Sequence, residues 1–197
     1  MNTRLPEPAW LLEKLFVTAR NTRAHHDIWW VYRNRNDRSK YDYVLTVYKG
    51  FFRLSINAHF CSMILGICNL YDMRRKRDTI CIKNLLKVLG ASCKIQEVEL
   101  ECLKRDISYL EPLVEKVKKI RDKFCAHLNI EKTYTRILAE VEIKPDNIKE
   151  ILEKTMAILN RVSQLIAIPQ CDFSTEPQED TRSLLDDLRS FIESRST

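Results

Sequence analysis

Apolar residues recur every three to four positions along most of this chain, the repeat of helices with one buried face. Leu11, Leu12, Leu15, Phe16 and Ala19 form the first such stripe, and Pro8 fits a first helical turn, which predicts a helix from Pro8 to about Tyr32. The polar segment 34–40 ends it. A long helix is predicted over residues 42–71, with Val44, Val47, Phe51, Leu54, Ala58, Cys61, Leu65 and Cys68 on one side and further apolar residues nearly all round, the pattern of a central bundle helix. After a basic loop over residues 72–78, Asp78 or Thr79 is the expected cap of a short helix that stops at Gly90 in a left-handed conformation.

The next helix is predicted over residues 95–109, and Pro112 is expected to break or kink the chain before segment 113–128, where Val117, Ile120, Phe124 and Leu128 are the buried stripe. Beyond Pro145, with Asp146 as cap, Ile148, Ile151, Leu152, Thr155, Leu159, Val162 and Ile166 mark a last core helix. Four major helices and a short one thus form an expected domain over residues 1–169. Residues 170–197 hold 3 basic and 7 acidic side chains from Cys171 onward. They read as a linker through Asp180, then an amphipathic helix bearing Leu184, Leu185, Leu188, Phe191 and Ile192, which is expected to dock on its own protein.

Composition narrows the fold to all-α: 197 residues with 3 Gly offer little supply for hairpin turns, while 45% apolar content supports one core. The longest uncharged apolar stretch, residues 58–70, falls short of the ~20 residues of a membrane span. With no apolar signal segment near the N-terminus, a soluble, cytoplasmic protein without membrane partners is expected. The seven cysteines lack a Cys-x-x-Cys pair and read as free thiols. Net charge is +6 but uneven: residues 1–90 carry 16 Lys/Arg and 7 Asp/Glu (+9), and residues 91–197 carry 17 and 20 (−3). That asymmetry is compatible with a polyanionic partner and equally with a solvated basic face.

The sequence contains no phosphate-binding Gly-rich loop, nucleophile elbow or zinc-peptidase motif, and its four histidines lack neighbours at metal-ligand spacing. No cofactor and no metal site are therefore expected. An Arg followed by His five or six positions later occurs four times: Arg20/His25, Arg20/His26, Arg53/His59 and Arg121/His127. The first two lie on the opening helix, and His59 on an apolar helix reads as a hydrogen-bonded core residue. Arg121/His127 differs in its surroundings, since Lys118, Lys119, Lys123 and Asp122 share the segment with a buried stripe. Cleaving RNA at a phosphodiester needs a base for the 2′-OH, an acid for the leaving oxygen and positive charge on the transition state, and His and Arg supply these. Six positions on one α-helix separate two side chains by about 9 Å in rise and about 120° in azimuth. The Arg must therefore reach, or a second copy must contribute.

The run Arg121-Asp122-Lys123-Phe124-Cys125-Ala126-His127 resembles the motif of the HEPN helical-bundle family, whose RNase members carry Arg, a polar residue and then His four to six positions beyond the Arg. Leu70-Tyr71-Asp72 followed by a short helix resembles more closely the abortive-infection (AbiU-type) branch, over roughly residues 40–168. The resemblance implies an antiparallel all-α bundle and a metal-independent endoribonuclease of phage defence or toxin–antitoxin type. It also implies a homodimer whose motif helices form one composite cleft. His127 would be general acid/base, Arg121 would stabilise transition-state charge, and Asp122 would orient either of them. Lys118, Lys119 and Lys123 would hold RNA. Many members of the family are inactive scaffolds, so a non-catalytic module docking a protein or RNA stands as the alternative, and an antitoxin is a further possible partner.

Overall fold

A computed structural model describes residues 7–72, 80–92, 95–125, 134–173 and 176–195. Among these residues the fold is all-α, with no strand. Helix α1 (Pro8–Arg33) begins with Pro8 in its first turn and buries Leu11, Leu12, Leu15, Phe16 and Ala19. Helix α2 (Arg35–Val47) and helix α3 (Lys49–Tyr71) meet at Tyr48. The polar segment 34–40 ends α1 as expected, at Asn34, and then begins a second helix before the predicted start at 42. Its start is set by Asn34, whose side chain accepts from the Asp37 backbone N–H at 3.0 Å and donates to the Asp37 carboxylate at 2.6 Å.

The exposed and buried sides of α3 differ from the expected ones. Phe52, Phe60, Met63, Ile64 and Ile67 are buried, and of the row expected on one side Val44 and Cys68 are buried too, while Val47 of α2 and Phe51, Leu54, Ala58 and Leu65 of α3 face outward. A helix apolar nearly all round gives no contrast from which to choose its buried face, and packing against α1 decides it. Gly66 permits that approach: a Cβ there would lie 2.1 Å from Thr22 Oγ1. By length and composition α3 is also the one described helix sufficient to cross a membrane, and here one of its faces builds the core.

Helix α4 (Ile82–Ala91) runs through Gly90, which has no positive φ, so the expected left-handed stop is absent. The suggested caps Asp78 and Thr79 lie outside the described residues, and Cys81 occupies the N-cap position. Helix α5 (Glu97–Ile120) continues through Pro112 instead of breaking there. Proline forfeits one backbone N–H, but Leu110, Val114 and Val117 remain buried on either side of it and hold the helix to the core.

Helices α6 (Tyr134–Glu140) and α7 (Pro145–Leu165) follow; α6 was not foreseen, and Lys144 rather than Asp146 occupies the N-cap of α7. Both helices end without glycine. Glu142 and Ala167 take positive φ while Ile143 N–H bonds Leu138 C=O at 3.1 Å and Ile168 N–H bonds Ser163 C=O at 2.8 Å, the Schellman closure.

Helix α8 (Glu176–Ser194) starts within the stretch read as linker and packs on α1 and α2, as its amphipathic pattern predicts. Leu185 and Ile192 join Val31, Tyr32, Tyr41, Val44 and Phe52 in a second apolar cluster. Leu184 and Phe191 of the same stripe face solvent. Arg182 makes a two-pronged bond to Asp37, at 3.0 and 2.8 Å, and Lys40 pairs with Asp186 at 2.8 Å.

Candidate active site

The site is built where the end of α5 meets the end of α3. Val117 and Ile120 are fully buried, and Phe124 packs edge-on against Phe60 with ring centroids 5.5 Å apart. These anchors fix the inner face of the segment and leave Lys118, Arg121 and Asp122 at its surface. From Arg121 to Cys125 the helix widens into a π turn, a rare geometry that often accompanies functional positions.

Arg121 Nη1 donates to Asp72 Oδ2 and Arg121 Nε donates to Asp122 Oδ1 at 2.8 Å. These bonds use two of the five N–H groups of the guanidinium. Asp72 is the C-cap of α3, with its own N–H bonded to Cys68 C=O at 2.7 Å. Its other oxygen, Oδ1, pairs with Lys118 Nζ at 3.1 Å, and Lys118 also donates to Glu115 at 2.7 Å. One carboxylate therefore ties together two cations from α5 and the turn that follows it.

The electrostatics follow this arrangement. Burial alone would raise the pKa of Asp72, but hydrogen bonds from Lys118 and Arg121 hold it below the ordinary carboxylate value. The pKa of Arg121 is raised, first by its bond to Asp122 and also by Asp72. Burial opposes ionisation of Lys118, yet Glu115 and Asp72 together raise its pKa. Beneath them Cys68 is pushed up to about 11 by burial and stays a neutral thiol. Tyr71, also raised by burial to about 12, shares a 2.5 Å hydrogen bond with Thr155 on α7. Leu70 and Tyr71 are thus core anchors that place the third residue of Leu70-Tyr71-Asp72 beneath Arg121.

The proposed site residues are not all in one place. Arg121, Asp122 and Lys118 share the Asp72 cluster, Lys119 is exposed, and Lys123 lies 3.5 Å from Glu140 of α6. His127 and Leu128 lie outside the described residues, as does the basic loop at residues 74–77. Sequence reasoning used Asp72 only as part of a resemblance. A separation of 49 residues from Arg121 leaves no local pattern that would pair them.

The other histidines have partners of their own. His25 Nδ1 and His59 Nδ1 lie 2.9 Å apart between α1 and α3, and burial lowers both pKa values, with mutual repulsion adding to the shift at His59. His59 is hydrogen-bonded as expected but only half-buried. The buried His26 bonds Asp27 at 2.9 Å, and Arg23 bonds the other Asp27 oxygen at 2.8 Å. Cys61, Cys68, Cys81, Cys102 and Cys171 are free thiols, of which Cys68 and Cys81 are buried. Among the described residues no three His, Cys, Asp or Glu side chains gather as metal ligands.

No curated protein and no solved structure matches the chain. The HEPN_AbiU2 family model, described as AbiU2, matches residues 11–191. The match extends well beyond the motif-bearing span and includes the C-terminal tail, which the motif resemblance left uncovered. Spanning nearly the whole sequence from α1 through most of α8, it identifies the chain as a member of the AbiU2 family of HEPN proteins.

Proposed function

We propose that this chain is a metal-independent endoribonuclease of phage-defence or toxin–antitoxin type, acting on RNA in the cytoplasm through Arg121 and His127 in a cleft shared by two copies. The observation that carries this reading is Arg121 itself, held by Asp72 and Asp122 at the chain's family-type motif. In the reaction, neutral His127 of one copy takes the proton of the 2′-OH, and the 2′ oxygen attacks phosphorus. The bond to the 5′ oxygen breaks and that oxygen takes a proton from the protonated His127 of the other copy. The products are a 2′,3′-cyclic phosphate and a 5′-hydroxyl. Arg121 stabilises charge on the phosphorane-like transition state, and exposed Lys119 offers a backbone contact. DNA lacks the nucleophile and is left intact.

The outward row on α2 and α3 supports a second copy as partner. Val47, Phe51, Leu54, Ala58, Cys61 and Leu65 follow one another at spacings of four and three, the rhythm of a two-stranded seam that pairs with itself.

A scaffold reading has its own support, because the Asp72 bonds would also serve a purely structural joint between α3 and α5. Purified wild type, His127→Ala and Phe51→Glu, incubated with total RNA in EDTA, separate the two readings. The expected outcome is cleavage to cyclic-phosphate ends by a dimeric wild type, none by folded dimeric His127→Ala, and loss of both dimer and cleavage in Phe51→Glu. Intact RNA with all three proteins folded makes the scaffold the leading reading.

A further inference from the structure

At the opposite end of α3 from Arg121, a cavity of about 330 Å³ opens between the end of α1, α2 and the start of α3. Arg33, Arg38, Lys49 and Arg53 line it, and Asp42 is the one carboxylate among its described lining residues. Asp42 stands 4.0 Å from Arg38, with both side chains about half exposed or more. Even with Arg33 set aside, Arg38, Lys49 and Arg53 outnumber Asp42 three to one, in the half of the chain that carries the +9 excess. Arg33 is half-buried, and its pKa is lowered by burial and by the neighbouring Arg38. Arg33 and Arg38 thus line one cavity together, and positive charge gathered in this way attracts an anion.

The floor is of a different character. Leu45, Phe52 and Ile56 line it with apolar surface, and Asn57 adds an amide that both donates and accepts. An apolar recess rimmed by cations matches a nucleotide, whose base has an apolar face and whose phosphates are anionic. The volume falls at the small end of ligand pockets, room for one unit and not for a folded domain.

We propose that this α1–α2–α3 cavity is a binding subsite for single-stranded RNA, taking one splayed base into the recess and the flanking phosphates onto Arg38, Lys49 and Arg53. A base stacked inside a duplex cannot enter a recess, so the site selects unpaired strands. Along α3 the cavity lies about 28 Å from the Asp72 end, which makes it an anchoring site away from the bond to be cut. The choice of RNA as the polyanion rests on the ribonuclease reading above, whereas the cationic site itself does not.

The test uses a 2′-O-methyl oligouridylate of about twelve nucleotides, which lacks the 2′-OH nucleophile and reports binding alone. Fluorescence anisotropy is measured across salt concentrations for the full chain and for the Arg38→Ala/Arg53→Ala double variant, with Tm confirming that both are folded. The expected result is an affinity loss of at least tenfold in the double variant and a salt slope shallower by about 1.4, at about 0.7 per cation removed. An otherwise identical abasic oligomer is expected to bind wild type more weakly, since it has no base for the recess. Equal binding by both proteins, or no binding by wild type, overturns the proposal. If wild type cuts RNA and the double variant binds the probe equally well, the subsite fails and the ribonuclease stands. If the double variant loses affinity while wild type cuts nothing, the subsite stands and the ribonuclease fails.

Discussion

The two ends of α3 carry similar side chains in opposite balance. At its C-terminal end two cations, Arg121 and Lys118, meet three carboxylates, Asp72, Asp122 and Glu115. At its N-terminal end four cations surround a cavity with one carboxylate. Matched charges fix geometry, because each hydrogen bond restricts the long side chain that makes it. Where cations outnumber carboxylates, the surplus attracts an external anion instead. The first arrangement fits a place where one guanidinium must be aimed at one phosphate, and the second fits a place where a strand must be gripped anywhere along its backbone.

The contrast is broken or sharpened most strongly at Arg121. Arg121→Lys keeps the charge but loses the fork that reaches Asp72 and Asp122 together. Its single-turnover cleavage rate at saturating RNA is expected to fall by about 10²-fold or more, with affinity nearly unchanged. The Arg38→Ala/Arg53→Ala variant should do the reverse. If both variants lose rate and affinity in equal proportion, the two ends are one site and the distinction fails. The next largest effect is on stability. Asp72→Asn removes the charge that Arg121 and Lys118 share, at a cost of about 2 kcal/mol, seen as a fall in Tm of roughly 4–8 °C. Asp42→Asn, at the exposed rim of the cavity, is expected to leave Tm within about 1 °C and to tighten the RNA probe. An equal loss of Tm from both substitutions would show that the cavity charges are structural too.

How far these regions were legible depends on the distance over which each signal acts. The stripe Leu11, Leu12, Leu15, Phe16 and Ala19 and the stripe from Ile148 to Val162 are local and periodic, and both became core helices in the expected places. The join at Tyr48 is hidden because the stripe Val44, Val47, Phe51 and Leu54 keeps helical spacing across it. The Asn34 and Asp37 cap that starts α2 was present in the sequence but overshadowed by the polarity of its neighbours. Pro112 does not break the chain, since Leu110, Val114 and Val117 bury enough surface to carry α5 through it. Arg121 was found because its motif is contiguous. Asp72, 49 residues away, and the cavity, whose cations come from three helices, depend on tertiary packing and leave no local trace.

The smallest predicted effect lies between the two ends, at His25 and His59. One ring nitrogen must donate and the other accept across 2.9 Å, and a proton on both rings would set two donors face to face. Burial lowers both pKa values, so the unfolded chain binds more protons than the folded one once the pH drops below the ordinary histidine value near 6.5. The contribution of the pair is therefore full above that value and is lost as the pH falls through the lowered folded values. Asp72 follows the same sign in a lower window. Its contribution is present above the ordinary carboxylate range and is lost only as the pH falls through its depressed folded pKa. Thermal melts from pH 7 to pH 5 should show a modest decline in wild type that His59→Gln flattens and Asp72→Asn leaves in place. If Asp72→Asn flattens the decline between pH 7 and pH 5, the charge cluster and the histidine pair titrate together along α3, and its two ends are coupled.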